Sequence, residues 1–223
     1  RRIGCTHSGG GHAANLSLAI ANSCNSYFCH IFRLSIDGPK NANTHVGLQR
    51  WHHYMNEFGL GHPIGIDIPS EDGGNIPDTN YFNRIYNNNW NSCNMAIMGM
   101  GQGEVLMTPL QMANVMAIVA NRGFSYKPHL IKAIGDENVT RDEFLKKNSA
   151  GIDSRYFDVI IDGMSAVVNQ PSGTAWYSRI PEIEMCGKTG TVQNPHGKDH
   201  SVFVAFAPRE NPKIAIAVVV ENA

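Results

Sequence analysis

The chain has 223 residues, 42% of them hydrophobic and 17% charged, with a formal net charge of −1. This is the composition of a globular chain long enough for one large domain or two small ones. The near-neutral balance excludes an electrostatic case for nucleic acid or an anionic membrane surface, and no apolar run is long enough to cross a bilayer. The chain opens Arg1-Arg2 without Met, which reads as a piece of a longer protein whose signal or anchor was left behind. Cys5, Cys24, Cys29, Cys93 and Cys186 are odd in number and too sparse for a disulfide-stapled mini-fold. Cys24 and Cys29, in an apolar helical context, read as buried free thiols. Cys5, His7 and His12 come closest to a ligand cluster but match no standard zinc spacing, so no metal is assigned.

The glycine-rich opening, residues 4–11, lacks the Lys-Ser/Thr ending of a phosphate loop and reads as a flexible connection. Residues 13–32 show helical spacing in two pieces, broken at Asn22-Ser23-Cys24-Asn25. Residues 44–58 form an amphipathic helix striped by Leu48, Trp51, Met55 and Phe58, with Gly59 as its stop. Between residues 59 and 90, Gly, Pro, Asn and Asp predict irregular loops, and Asn87-Asn88-Asn89 a tip or linker. Thr108 as N-cap and Pro109 at the first helical position start a helix that is apolar on most faces and stops at Gly123. A short strand is expected over 127–134, then a polar excursion to Ser149. Asp153 or Ser154 caps another helix burying Phe157, Ile160, Met164, Val167 and Val168, and Ser172-Gly173-Thr174-Ala175 makes a tight turn. Three strand-like runs close the chain, at 183–192, 201–207 and 213–220, the last two joined by a hairpin loop. Without internal repeats or a domain boundary, helices followed by a terminal antiparallel sheet predict one α+β domain.

The chemistry concentrates in Gly187-Lys188-Thr189-Gly190-Thr191. Along a strand, Lys188 and Gly190 share one face, and Thr189 and Thr191 the other. Backbone N–H groups on the strand edge can point at a bound substrate, and Gly190 lets a ligand or another backbone approach closely. Lys188 could anchor a carboxylate or hold a neighbouring catalytic group in its reactive state; the plainer alternative is a snorkelling surface lysine. Far upstream, Ser23 offers a hydroxyl that can relay a proton, and Asn25 an amide that can hold a substrate amide. The plainer alternative for Ser23 is a capping serine.

Order and context favour the chemical reading. The segments 19–28, Gly99-Met100-Gly101-Gln102-Gly103-Glu104 with Thr108-Pro109-Leu110-Gln111, Gly173-Thr174-Ala175, 187–191 and 200–208 together resemble the transpeptidase domain of class B penicillin-binding proteins, in particular the elongation type. The resemblance implies an α+β penicillin-binding transpeptidase / serine β-lactamase-like fold, an antiparallel sheet flanked by helices, of which residues 1–223 are a part truncated at both ends. It implies a D,D-transpeptidase that cross-links peptidoglycan stem peptides through a serine acyl-enzyme and is acylated by penicillin. Carried over by motif, Ser23 and Lys188 form the proton-shuttling side of the site, and Asn25 holds the substrate amide. Thr189 and Thr191 lie near the terminal carboxylate beside Gly190, and the Thr191 N–H is half of an oxyanion hole. The implied partners are the D-Ala-D-Ala stem peptide, β-lactam antibiotics and a membrane glycosyltransferase of the elongation machinery, on the periplasmic face of a bacterial inner membrane. No cofactor and no nucleic acid are implied.

One part of the pattern is missing. The family nucleophile sits in a Ser-x-x-Lys motif upstream of Ser-x-Asn, and no serine from Ser8 to Ser201 has a lysine three positions later. The nucleophile is therefore expected outside these residues. A β-lactam sensor or hydrolase on the same fold, or a catalytically inactive scaffold, are the alternatives; the absent motif fits the scaffold, which leaves the joint occurrence of Ser23, Asn25, Lys188 and Thr189 unexplained.

Overall fold

The computed structural model describes residues 4–5, 7, 10–138 and 141–223. The opening glycine-rich connection and the excursion before Ser149 therefore fall partly outside the described residues. In chain order the helices are α1 (Leu16–Ala21), α2 (Asn25–Asp37), α3 (Thr44–Glu57), α4 (Thr79–Tyr86), α5 (Pro109–Ala120), α6 (Asp142–Leu145) and α7 (Phe157–Asn169). The strands are β1 (Phe124–Tyr126), β2 (Ala133–Ile134), β3 (Glu137–Asn138), β4 (Lys147–Ser149), β5 (Cys186–Val192), β6 (His200–Ala207) and β7 (Ile214–Val220). The last three make an antiparallel sheet in the order β5-β6-β7, which leaves β5 on an edge. Its register pairs Lys188 with Val204 and Thr191 with Ser201.

Helices α5 and α7 pack on this sheet, and α1 packs on α7. The contact surfaces are one continuous core: Ile20 from α1, Met116 and Val119 from α5, Ile161, Met164 and Val168 from α7, and Cys186 and Phe206 from the sheet. A second core lies beyond α1, where Phe32 and Ile36 of α2 meet Leu48, Phe82, Trp90, Met95 and Met98. The break between α1 and α2 is thus also the joint between two cores.

The helix starts follow the sequence closely. Thr108 caps α5 with its hydroxyl accepting from the Gln111 N–H, while Gln111 Oε1 accepts from the Thr108 N–H at 3.0 Å, a capping box. The same Gln111 amide, fully buried, donates to the carbonyls of Gly73 (2.8 Å), His62 (3.0 Å) and Gly59 (3.3 Å). One side chain thereby stitches the irregular 59–74 segment to the helix. Asp153 caps the 3-10 turn Ser154–Tyr156 that leads into α7.

Two expectations need correction. The stretch 59–90 is not all loop: Asp78 accepts from the Tyr81 N–H and starts α4, whose Phe82 is completely buried. Its asparagines hid a helix held by tertiary burial of one aromatic. The strand expected over 127–134 is also absent as such; β1 ends at Tyr126 and β2 holds only Ala133–Ile134. Asp67 instead accepts from the N–H groups of Leu130 (2.7 Å) and Ile131 (3.1 Å), satisfying that backbone without a ladder.

Candidate active site

Ser23 is placed by the way α1 ends. The Ser23 N–H donates to Ile20 O at 3.1 Å and the Cys24 N–H to Ala19 O at 3.0 Å. This paired closure turns the chain through a left-handed residue that is usually glycine. Here it is Ser23, at φ 51°. A side chain in that conformation costs about 1–2 kcal/mol, so the hydroxyl stands where the backbone alone would favour its absence. Asn25 follows as the first residue of α2 and is exposed.

Lys188 reaches this turn from β5. Its Nζ donates to Ser23 Oγ at 2.7 Å across 165 residues of sequence, and to the Thr189 carbonyl at 2.7 Å. Burial pushes its pKa from the usual 10.5 down to about 8. The neutral amine, able to accept a proton from Ser23, is therefore accessible a little above neutral pH. Lys188 thus points inward, unlike a snorkelling surface lysine, and the N-cap of α2 is Cys24, not Ser23.

The root of β5 is braced. Asn169 of α7 donates to Met185 O at 2.9 Å. Glu184 accepts from Ser165 (2.7 Å) and Arg209 (3.0 Å), which together hold its carboxyl below the usual range. Burial pushes the Cys186 thiol up to about 12, so it is an inert core group. Farther along, Thr189 Oγ1 lies 2.9 Å from Thr174 Oγ1, tying the strand to the turn at 172–175, and Gln102 Nε2 donates to Thr191 O at 2.8 Å. A Cβ at Gly187 would come within 2.6 Å of Phe203, whereas one at Gly190 would meet Val202 at an ordinary 3.4 Å. The protein's own packing demands the first glycine but not the second, which leaves ligand approach as a reason for Gly190. Cavities of about 410 and 320 Å³ open elsewhere, beside α3; neither is lined by Ser23, Lys188 or the threonines of β5. The site is an open face bounded by the turn and the strand edge.

Behind the turn sits a different chemistry. Cys24 Sγ lies 3.4 Å from His12 Nε2 and 3.6 Å from Cys5 Sγ, and Cys5 Sγ is 3.4 Å from His12 Nε2. Cys5 also contacts His7 Nδ1 at 2.9 Å. The ligand atoms of Cys5, His12 and Cys24 all lie within 4.8 Å of one another. Thiolate and imidazole donors at this spread could hold a soft divalent ion such as zinc. In the sequence Cys5, His7 and His12 come closest to a ligand cluster, without a standard zinc spacing, and Cys24 reads as a buried thiol. The structure keeps Cys24 buried and places its thiol beside Cys5 and His12, while the half-buried Ser23 before it meets Lys188.

Residues 4–223 match the family described as the penicillin binding protein transpeptidase domain. The chain belongs to that family. The transpeptidase-domain family includes relatives named peptidoglycan D,D-transpeptidase MrdA. That of Escherichia coli K12 is 31% identical over 196 residues, covering 79% of this chain and 31% of the relative. That of Acinetobacter baumannii is 33% identical over 231 residues, covering 95% and 32%. Pseudomonas aeruginosa PBP2, solved in complex with WCK 5153, superposes with a TM-score of 0.79 at 31% identity, covering 94% of this chain and 45% of that one. Helicobacter pylori PBP2 in complex with MreC gives 0.74 at 30% identity, covering 94% and 36%. The chain spans about a third of the length of the curated relatives it matches. The α+β architecture expected from the sequence is that of these solved transpeptidase structures.

Gln102 and Thr174 were missed as site residues. Both stand in segments that carried the family resemblance, yet neither contact has a local sequence signal, because each joins β5 to a distant loop.

Proposed function

We propose that this chain supplies one wall of the active site of a peptidoglycan D,D-transpeptidase, which cross-links stem peptides during cell-wall elongation and is acylated by penicillin. The observation that carries the reading is the 2.7 Å bond from Lys188 Nζ to Ser23 Oγ. In the proposed reaction a serine Oγ attacks the carbonyl of the penultimate D-Ala of a stem peptide. The C–N bond breaks, D-Ala leaves as the amine with a proton, and an ester remains. The amino group of a second stem peptide then attacks the ester and restores the serine. Ser23 and Lys188 carry protons between nucleophile and leaving amine, a role supported by the lysine's lowered pKa of about 8. Asn25, exposed beside the turn, holds the substrate amide. Thr189 and Thr191 bind the terminal carboxylate at the open side of Gly190, and the Thr191 N–H stabilises the oxyanion.

The attacking serine belongs to a Ser-x-x-Lys segment of the complete protein, since no such motif occurs in these 223 residues. These residues are accordingly one part of a larger transpeptidase domain. Its partners in this reading are D-Ala-D-Ala stem peptides, β-lactams and a membrane glycosyltransferase of the elongation machinery, at the periplasmic face of the inner membrane. Helicobacter pylori PBP2 has been solved in complex with MreC, which supports assembly with another protein.

The missing motif keeps a second reading alive, a non-catalytic scaffold on the same fold. A fluorescent penicillin separates them: it should label the complete protein covalently and leave the 223-residue chain unlabelled. A labelled band on the short chain alone would show that the nucleophile is here after all. An unlabelled complete protein would favour the scaffold.

A further inference from the structure

Strand β5 has an unusual problem. It is an edge strand, so among the described residues the outward half of its backbone has no neighbouring strand to hold its peptide planes. Within an antiparallel strand, the N–H and C=O of one residue point to the same edge, and the edge alternates along the chain. The Thr191 carbonyl accepts from Gln102 and the Thr189 carbonyl from Lys188, so both residues face outward. The two outward carbonyls of this step are therefore each held by a side-chain donor, and the N–H groups of the same residues point the same way.

Gln102 is well carried for this. It stands between Gly101 (φ 77°) and Gly103 (φ 78°), two left-handed positions that fold the loop back on itself. The Gly101 N–H donates to Met98 O at 3.0 Å and the Gln102 N–H to Ile97 O at 3.3 Å. On the far side, Asn75 Nδ2 donates to Glu104 O at 2.7 Å, and Asn75 and Leu106 exchange backbone bonds of 2.8 and 2.9 Å. The amide thus leaves a braced loop and bridges 89 residues of sequence to a single carbonyl of β5.

We propose that Gln102 is a positioning residue for acyl transfer: by holding the Thr191 carbonyl outward, it aims the Thr191 N–H at the oxygen of the carbonyl under attack. The inference rests on the transpeptidase reading above. Gln102 acts through the strand and touches no reacting atom. Losing it lets the end of β5 turn, so it should slow acylation without much changing the initial binding of a β-lactam.

The test uses the complete protein and a fluorescent penicillin, with rapid kinetics that separate non-covalent binding from the acylation step. Gln102→Ala removes the donor, and Gln102→Glu keeps the shape while setting an acceptor against the carbonyl. Both variants should acylate about tenfold or more slowly, below the full loss of an oxyanion donor. Binding before acylation and the melting temperature should stay near wild type. Wild-type acylation rates in Gln102→Glu would overturn the proposal, since a space-filling role tolerates that isostere. Losses confined to binding, or explained by a lowered melting temperature in both variants, would overturn it too. If the wild-type protein takes no label, the transpeptidase reading falls and this inference with it; if only the Gln102 variants match wild type, the inference alone falls.

Discussion

The turn at Ser23-Cys24-Asn25 has two sides, and they differ in almost every physical respect. On one, Ser23 meets a lysine amine that arrives from β5 and is held near a pKa of about 8 by burial. On the other, Cys24 meets a thiol and an imidazole supplied by the segment just before α1. The first is a hydroxyl and a buried amine at hydrogen-bond distance, the pair proposed above to transfer protons. The second is a soft-donor cluster suited to a metal ion. Successive residues of one turn serve both. The lesson is that a strained position can be kept for two reasons at once, and mutation can separate them.

The most severe break is Lys188→Ala in the complete protein. Penicillin acylation should fall by about 10²–10⁴-fold, with a melting temperature close to wild type, because Lys188 forms no ion pair among the described residues. Retained acylation would mean that β5 is not the catalytic strand.

A subtler pair of variants separates strain from chemistry. Ser23→Gly suits the left-handed turn and should raise stability by up to about 1 kcal/mol relative to Ser23→Ala, which keeps the strain. Both remove the hydroxyl, so both should lose acylation to a similar degree. Equal stabilities by urea unfolding would show that the turn is not strained; an active Ser23→Gly would remove Ser23 from the relay.

The cysteine side can be probed with zinc. If the cluster holds the ion, zinc at about 100 times its dissociation constant should stabilise the complete protein by ~2.7 kcal/mol. Cys24→Ser should abolish the shift and leave Lys188 in contact with Ser23. An unchanged thermal response in the presence of zinc would reduce the cluster to a hydrogen-bonded group.

The smallest effect is in pH. Lys188 binds its proton less tightly folded than unfolded, so between about 8 and the usual 10.5 the unfolded state carries more protons. Stability from this group therefore rises with pH across that window, and its penalty is fully present below about 8. If the neutral amine accepts the Ser23 proton, acylation should climb through a midpoint near 8. A rate that falls through the same pH would make Lys188 a charged anchor instead.

Much of this architecture is legible in the chain. Thr108-Pro109 starts α5, the 22–25 break separates α1 from α2, and the three terminal runs are the three strands of the sheet. Each rests on local rules: capping, a fixed φ at proline, and side-chain alternation. Helix α4 escaped because burial of Phe82, not local propensity, holds it. The missing strand at 127–134 escaped because a carboxylate from Asp67 replaced the expected ladder.

The candidate site divides along the same line. The sequence by itself determined which groups are present: a serine beside an asparagine, and a lysine among threonines and glycines. Motif order was enough to name the family they resemble. Only tertiary structure decided that Ser23 is left-handed, that Lys188 touches it, that Cys24 faces Cys5 and His12, and that Gln102 caps the edge of β5. These are contacts between residues far apart in the chain or on opposite sides of a turn. Their geometry is set by how α1, α2 and the sheet pack around two cores, which no local pattern encodes.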